Sequence, residues 1–272
     1  MKPFYKYIGI ALVYKNTEDI VEFVDSFNKK IPSSSKVIIV NSYFDDQTKE
    51  RVEQLAKETN CDFINVENRG YSYGNNKGIE FARERYSFDF LIISNPDIII
   101  KEFDDSTFEK NVPIIYAPDI TTRSGKKQNP NWVHYHKLLD YLQYVACKRD
   151  ILALEFIVIA MLKFERIIFI NNPLVSKKNT KIYSAHGSFI IISKLAIERL
   201  VPIFNDNMFL FHEEIYLAYR ARKGKILTVF TPFVKIYHKE DGSMRISNVN
   251  IAKRSHESEV IYFEQRDEST VR

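Results

Sequence analysis

Two acidic positions that lie far apart in the chain have residue types suited to metal-assisted group transfer. Asp97 ends a Ser-Asn-Pro-Asp motif that directly follows the apolar run 90–93, so we expect it at the C-terminal tip of a buried strand. A carboxylate at such a tip suits a hard cation such as Mg²⁺ or Mn²⁺. Glu213 and Glu214 follow a second, aromatic run and supply a carboxylate suited to general-base catalysis. Together these positions predict group transfer with metal assistance.

The alternation of apolar runs and amphipathic segments predicts the sheet that positions these residues. Four continuous apolar runs indicate buried strands separated by helices, and they lie at 7–14, 36–40, 62–66 and 90–93. This order is typical of an α/β fold with a mainly parallel sheet covered on both faces. Ligands of such sheets bind outside the carboxyl ends of the strands. Asn41, Asp46, the loop 68–76 and Asp97 all fall at such ends, so we expect them to line one site.

The second half of the chain is less regular. We expect a strand at 114–117, and either two helices or one bent helix at 134–170. A strand at 184–192 follows. Two separate late strands are expected at 226–230 and 233–237, divided by a Thr-Pro pair.

Composition and charge narrow the class of protein. The chain has 272 residues and is 45% hydrophobic, which suits one α/β domain over residues 1–272 with a helical insertion at 121–181 and a tail at 244–272. The net charge of +4 is too small to indicate a nucleic-acid partner. Cys61 and Cys147 show no metal-ligand spacing and favour a reducing compartment. With neither a signal-peptide pattern nor a spanning apolar run, we expect a cytoplasmic protein.

Each motif also has a simpler structural interpretation. Asn, Pro and Asp are turn formers, so the motif ending at Asp97 fits a plain turn. The stretch 68–78, rich in Gly and Asn, fits either a loop that leads into a helix or a backbone cradle for anionic oxygens. The pair Glu213-Glu214 fits the acidic first turn of a helix, and His238 fits a structural histidine.

The order of the motifs resembles that of family 2 glycosyltransferases with the GT-A fold, particularly the rhamnosyltransferase-like members that build bacterial surface polysaccharides such as capsule and O-antigen. The resemblance extends to about residue 100 and returns over 184–243. The matching segments, in chain order, are Tyr14-Lys15-Asn16, 40–46, Asn68 to Gly78, Ser94-Asn95-Pro96-Asp97, Gly187-Ser188, Glu213-Glu214, and His238 to Gly242-Ser243.

The resemblance implies a reaction and a set of roles. A sugar would move from a nucleoside diphosphate donor, dTDP-rhamnose or a UDP-sugar, to a glycan or lipid-linked acceptor. Asp97 and His238 would hold Mg²⁺ or Mn²⁺ near the leaving diphosphate. Glu214 would act as general base with Glu213 in support, and one base without a covalent nucleophile implies inversion.

The resemblance also implies the residues that contact the two substrates. The acceptor would lie at Gly187 and Ser188. The donor would contact Tyr14, Asn16, Asn41, Asp46, Asn68, Gly70, Gly74, Asn75, Asn76, Asn95 and Asp97.

Three positions depart from the family pattern. Asn41 replaces the Asp that usually meets the nucleobase, although an amide can still donate and accept. Glu214 replaces the usual catalytic Asp and is one methylene longer, and Tyr216 replaces a further acidic residue. The departures affect donor identity and base geometry more than the fold.

The segment 121–181 carries the positive charge of the chain. It contains 11 Lys and Arg against 4 Asp and Glu, a local balance of +7, which leaves −3 for the remainder. Three interpretations stay open: a helical insertion packed on the sheet, a homodimer interface, or an interfacial element that binds anionic lipid and makes the protein peripheral on the inner face of the membrane. In the last case the basic residues beside the apolar ones would be attracted to the anionic lipid, namely Lys137, Lys148, Arg149, Lys163 and Arg166.

Two other functions are compatible with these features. A catalytically silent GT-A module that binds a nucleotide sugar, or acts as a scaffold, would explain the altered residues Asn41 and Glu214. A nucleotidyltransferase is less well supported, because no Gly-rich, basic pyrophosphate loop lies near the N-terminus.

Overall fold

The fold was analysed in a computed structural model that describes residues 1–32, 34–240 and 251–268. Gly242 and Ser243, together with residues 244–250 and 269–272 of the predicted tail, lie outside the described residues. The strands are β1 Phe4–Val13, β2 Ser35–Ser42, β3 Asp62–Val66, β4 Ser87–Ser94, β5 Ile98–Phe103, β6 Ile114–Thr122, β7 Thr180–Ile182, β8 Phe189–Ser193 and β9 Leu227–His238. The helices are α1 Asp19–Lys30, α2 Asp46–Glu58, α3 Tyr71–Arg85, α4 Lys137–Lys148, α5 Leu152–Ile170, α6 Lys194–Leu200, α7 Glu213–Lys223 and α8 Ile251–Gln265.

The strands form one mixed sheet in the order β3-β2-β1-β4-β8-β6-β9-β5, and β7 also pairs with β9. The first four strands of this order are parallel, as their continuous apolar sequences predict. Beyond them β8 runs antiparallel to both β4 and β6. The expected α/β class is confirmed. The sheet is mixed rather than mainly parallel, because only its first half is built from strand-helix-strand units.

Two apolar layers cover the sheet because neighbouring strand residues point to opposite faces. On one face Tyr7 and Ala11 of β1 pack with Phe23 and Phe27 of α1. On the other face Ile8 and Ile10 of β1 belong to a second apolar layer, to which α3, α6 and α7 also contribute. Central strands buried on both faces explain why their sequences are apolar without a break.

The predicted loop 68–78 is mostly helix, so that prediction was wrong. Helix α3 begins at Tyr71, directly after Gly70. A Cβ atom on Gly74 would lie 2.5 Å from Leu12 Cδ1, and one on Gly78 would lie 2.7 Å from Ile10 Cγ2. These two glycines therefore let α3 approach the sheet closely, and helix–sheet packing explains them better than a flexible loop does.

The two expected late strands are one strand, β9. Its pairing with β6 changes register beyond Pro118 and Thr231, since Asp119 pairs with Lys235. Pro232 has no N–H to donate to the ladder, and a local bulge accommodates it without ending the strand. The insertion consists of two helices, α4 and α5, as one of the two expectations for 134–170 stated. Within the described residues, no helix combines the length and apolar character that membrane crossing requires.

Gly70 joins the start of α3 to the segment that precedes α7. Its φ is +98° and its ψ is −177°, and a Cβ there would lie 2.2 Å from the carbonyl oxygen of Phe209. The neighbouring Tyr71 N–H donates to the same carbonyl at 2.7 Å. Only glycine tolerates this backbone conformation at such a close approach.

We expect Gly70→Ala to lower the melting temperature by roughly 5–10 °C, because backbone strain of about 1–3 kcal/mol adds to a collision with main chain. Gly125→Ala is the matched control, since Gly125 also has a positive φ, +80°, but nothing lies within 4 Å of its Cβ position. Thermal unfolding followed by circular dichroism measures both. Equal losses in the two variants would show that the contact with Phe209 carries no energy.

Candidate functional site

Five structural elements meet at one edge of the sheet. The turn holding Asp97 leaves β4, His238 ends β9, and the segment 186–188 enters β8 beside the end of β4. The N-terminus of α7 brings Glu213 and Glu214, and the N-terminus of α3 faces the same region. Asp97 and the start of α3 lie at the carboxyl ends of β4 and β3, as predicted, whereas β8 contributes its N-terminal end because it runs antiparallel.

Asp97 and His238 form a buried pair at this edge. His238 Nε2 lies 3.3 Å from Asp97 Oδ2, and both side chains are almost fully buried. Gln128 fixes the ring: its Nε2 donates to Glu240 at 3.1 Å, so its Oε1 accepts from His238 Nδ1 at 2.7 Å. In the neutral ring the lone pair of Nε2 then points towards a carboxylate. A proton or a cation between the two atoms relieves this repulsion, and a hard divalent ion fits the imidazole–carboxylate donor set.

Asn95 and Ser188 connect this pair to the strand beside it. Asn95 N–H donates to the Ser188 carbonyl at 2.9 Å. Ser188 N–H donates to Nδ1 of His186 at 3.2 Å, and the Ser188 hydroxyl lies 2.9 Å from the same nitrogen. The segment 186–188 is thus held rigidly beside the turn of Asp97.

His186 is a site residue that the sequence analysis missed. Burial, followed by electrostatic interactions with His238, Arg166 and Lys126, lowers the pKa of His186 to about 3, so the ring is neutral near pH 7. Since Nδ1 accepts from Ser188, Nε2 carries the proton and is available as a donor. The sequence signal for His186 is its position directly before the expected pair Gly187-Ser188.

The N-terminus of α7 has strained backbone and is held by an ion pair. Phe211 and His212 both have left-handed φ values, 74° and 63°, directly before the two glutamates. His212 Nδ1 pairs with Glu259 of α8 at 2.8 Å. Burial alone would lower the pKa of His212, but the charge and hydrogen bond of Glu259 outweigh it and raise the pKa to about 9. A cation therefore stands beside the acidic pair.

Glu213 and Glu214 occupy different environments. Glu213 is buried, and its Oε1 has no hydrogen-bond partner among the described residues. Burial and then the charge of Glu214 raise the pKa of Glu213 to about 8. Glu214 is partly exposed; its Oε1 accepts from Asn131 at 3.2 Å, and its Oε2 would lie 3.7 Å from a Cβ on Gly187. Burial raises the pKa of Glu214 as well.

Tyr71 completes this side of the site. Its hydroxyl donates to the Gly187 carbonyl at 2.7 Å, and burial together with the two glutamates raises its pKa. Because Tyr71 starts α3, it ties that helix to the loop in front of β8. Its role was not predicted from the sequence, where it is one of several aromatic residues in a glycine-rich stretch.

The other predicted donor contacts are divided between local structure and open surface. Asn16 donates to Asp19 at 2.8 Å and accepts from Glu18 N–H, so its amide supports the start of α1. Asn41 is fully buried; it donates to Asn65 at 2.6 Å, and its Oδ1 has no partner among the described residues. A nucleobase can reach Asn41 only if the covering atoms move.

Nearby, Asp46 is exposed and accepts from Tyr43, while the carboxylate at the N-cap of α2 belongs to Asp45. Tyr14 packs edge-on against exposed Phe44 at 6.0 Å, and Lys15 Nζ lies 4.0 Å from the centre of the Phe44 ring. This aromatic and cationic group at the ends of β1 and β2 was not anticipated.

The predicted donor residues of the 68–76 stretch lie in and before α3. Asn68 accepts from Ser42 at 3.1 Å, and Gly70 and Gly74 serve close packing. Asn75 donates to the Tyr71 carbonyl, and its buried Oδ1 is unpartnered among the described residues. Asn76 donates to Asp206 at 2.7 Å and to the carbonyl of Phe204, so it joins α3 to the chain before α7.

Arg166 faces the site from the insertion. It is partly buried on α5, burial lowers its pKa, and its charge acts on His186. Its guanidinium makes no hydrogen bond or ion pair to any residue that the structure describes. Arg166 was predicted to lie among the cations attracted to lipid, but in the structure it lies on the partly buried side of α5.

Comparisons with known proteins concern the sequence relationship and the fold of the chain. No protein-family model matches the chain. It is 24% identical over 225 residues to a low-salt glycan biosynthesis hexosyltransferase, Agl10, of Haloferax volcanii; the match covers 80% of this chain and 62% of the relative. The chain thus spans less than two thirds of the relative's length.

Two solved structures share the fold. GalNAc-T7, solved with UDP, GalNAc and Mn²⁺, matches with a TM-score of 0.59 over 89% of this chain and 44% of its own, at 11% identity. TarS of S. aureus matches with a TM-score of 0.54 over 98% of this chain and 44% of its own, at 14% identity. The chain therefore has the GT-A fold of glycosyltransferases and is related in sequence to a hexosyltransferase of glycan biosynthesis.

Proposed function

We propose that the protein is an inverting, metal-dependent glycosyltransferase that moves a sugar from a nucleoside diphosphate donor to a glycan or lipid-linked acceptor. One observation carries the proposal: a metal-type pair, Asp97 and His238, and a base-type carboxylate, Glu214, flank the same rigid segment 186–188. The ring of His186 lies 6.2 Å from that of His238, and a Cβ on Gly187 would lie 3.7 Å from Glu214 Oε2. This spacing leaves the segment as the floor on which acceptor and donor meet.

Asp97 and His238 are the residues that would hold Mg²⁺ or Mn²⁺. When bound, the ion neutralises charge that develops on a leaving diphosphate. The protein contributes a fixed imidazole orientation through Gln128 and a carboxylate held by its buried turn. Two protein ligands leave room for diphosphate oxygens, and GalNAc-T7, which has a similar fold, was solved with UDP and Mn²⁺.

Glu214 is the better candidate for the base, with Glu213 in support. Glu214 is reachable from the site and is oriented by Asn131, whereas Glu213 is buried and largely protonated near neutral pH. The neutral Glu213 avoids placing two negative charges side by side. A raised pKa brings Glu214 closer to the working pH, which strengthens it as a proton acceptor for an acceptor hydroxyl.

The donor is proposed to be dTDP-rhamnose or another sugar nucleotide such as a UDP-sugar, used in bacterial surface polysaccharide synthesis in the cytoplasm. The ring pair Tyr14–Phe44 with Lys15 offers stacking and charge at the strand ends where a nucleotide would lie. Arg166 and the Nε2–H of His186 offer donors to anionic or hydroxyl groups of a substrate. Purified protein with dTDP-rhamnose, UDP-glucose or UDP-GlcNAc, Mn²⁺ and simple glycans, analysed by mass spectrometry, tests transfer directly. Donor binding without transfer or donor hydrolysis would favour the silent GT-A module.

Glu214→Gln keeps the shape of the side chain and removes its basicity. We expect kcat to fall by roughly 10²–10⁴-fold, with donor affinity close to wild type. Wild-type kcat should rise with pH through the raised pKa of Glu214, and the variant should lose that limb of the profile. Glu213→Gln should cost less. A larger loss at Glu213 would mean that the catalytic roles of the two glutamates are exchanged.

Glu213→Gln also tests, through the pH dependence of the melting temperature, whether burial keeps the Glu213 carboxyl protonated. The pKa of Glu213 is about 8 in the folded state, against an ordinary value of 4.5. The contribution of its protonation to folding stability is therefore fully present below pH 4.5 and is lost as the pH rises through 8. The melting temperature of the variant should equal that of the wild type at roughly pH 5 and should exceed it at roughly pH 9. Exposed Glu18→Gln is the control. A gap that does not change with pH would contradict the assignment.

Asp97→Ala should abolish transfer and remove the extra thermal stabilisation that Mn²⁺ gives in the presence of UDP or dTDP, because bound ligand raises stability by mass action. Asp97→Asn repeats the test without a cavity, and His238→Ala should act in the same direction. Asp25→Ala, on the exposed side of α1, should leave both readouts unchanged. Normal turnover of Asp97→Ala in the presence of EDTA would refute the metal site.

A further inference from the structure

Helix α5 differs from an ordinary surface helix because its exposed side is apolar and most of its charged residues lie on the inner side. Its outward side chains are apolar, with Leu152 69% exposed, Phe156 75%, Phe164 67% and Ile168 58%. Ile157 and Met161, exposed by 56% and 52%, fill the spaces between them. Exposed positions recur every three to four residues along the helix, so they form one continuous stripe. We call this stripe the α5 face.

The charged residues of α5 lie mainly on its inner side. Glu165 contacts His134 and His136, Glu155 contacts His256, and Arg166 faces the site. Lys163 is the single charged residue on the outward side. A monomer in water rarely exposes a stripe of this size, and such stripes usually mark an interaction surface.

The helix lies along the body of the protein. Val158 of α5 is fully buried, and Phe169 near the end of the helix meets the ring of Phe230 in β9 at 5.9 Å. The positions of α5 that alternate with the exposed ones are partly or fully buried from residue 154 to residue 170, so one side of the helix rests on the protein along most of its length. A planar apolar partner can therefore cover the whole α5 face at once.

The charge around the α5 face selects among partners. Between residues 137 and 178 one exposed residue is acidic, Asp150, and it pairs with His256. The exposed basic residues of the same range are Lys137, Lys148, Arg149, Lys163, Lys177 and Lys178. Glu264 neutralises Lys148. A second copy of this chain would bring the same positive charge against itself, which disfavours a symmetric dimer through this face.

We propose that the α5 face docks in the plane of an anionic lipid bilayer. Apolar side chains of α5 enter the boundary between headgroups and acyl chains, and the surrounding Lys and Arg side chains contact lipid phosphates. The docking proposal rests on this surface and does not depend on the proposed function. If the proposed function also holds, Arg166 on the inner side of the same helix brings the site to the bilayer surface, and the acceptor is lipid-linked.

The test is co-sedimentation of the full chain with phosphatidylcholine vesicles that contain or lack phosphatidylglycerol. Wild type should bind the anionic vesicles and dissociate with added salt. Reversal of Lys137, Arg149 and Lys163 to Glu should weaken partitioning by at least about 100-fold, at about 1 kcal/mol for each basic residue. The double variant Phe156→Ser with Phe164→Ser should lose binding to both kinds of vesicle. Phe4→Ser with Val21→Ser, at exposed apolar positions elsewhere, is the control and should bind like wild type.

Three results would overturn the proposal. The first is equal binding to neutral and anionic vesicles, and the second is wild-type protein that stays in solution. The third is a dimer in analytical ultracentrifugation that the double Phe variant dissociates, because the occupant would then be a second copy. Stabilisation by UDP or dTDP with Mn²⁺, measured on the same variants, reports the donor site separately. Loss of vesicle binding with intact nucleotide binding therefore concerns the surface and not the proposed transferase.

Discussion

The antiparallel pairing of β8 with β4 is the constraint on which the site depends. The register from Phe90–Ser193 to Ser94–Phe189 places the start of β8 beside the end of β4. The chain segment 186–188 must then lie against the turn of Asp97, and the hydrogen bond from Asn95 to Ser188 fixes their separation. A parallel β8 would have brought the other end of the strand to this edge. The rest of the site is arranged around this short segment, with His238 on one side and Glu214 on the other.

Burial of acidic groups is the second organising feature. Glu213 and Glu214 stand at the N-terminus of α7, where the helix dipole favours negative charge, but burial opposes it. The cation His212, held by Glu259 of α8, offsets part of that cost. Strained backbone at Phe211 and His212 is retained because neighbouring contacts fix it, including Leu210 accepting from Ser258 of α8. Helix α8 is therefore part of the support for the proposed base.

The same helix links the site to the insertion. Asp140 of α4 is completely buried and pairs with Arg266, and it accepts from Tyr262 at 2.8 Å. Removal of either charge would leave the other buried and unpaired, which is strongly destabilising. Through α8, the α4–α5 pair is coupled to the N-terminus of α7. The C-terminal segment 251–266 therefore contacts both the insertion and the segment that carries the acidic pair.

The α/β class, the strands of the first half and the chain positions from which the site is built were predictable from the amino-acid sequence. Continuous apolar runs identify central strands because both faces of those strands are covered, and this signal is local. The same runs placed Asp97 at a strand tip. The resemblance added the order of the motifs, which pointed to the GT-A fold that the solved structures share.

The direction of β8, the helical state of 71–78 and the positions of His186, Tyr71 and Arg166 at the candidate site depend on tertiary contacts. Strand direction depends on pairing between residues distant in sequence. The stretch 71–78 is helical because its glycines let α3 pack against β1 and β2, although glycine by itself favours a loop. Arg166 and Lys163 are three residues apart, yet one faces the site and the other solvent. The side of a helix that faces inward is set by what packs beneath it, and when both sides are apolar the sequence pattern does not contain that information.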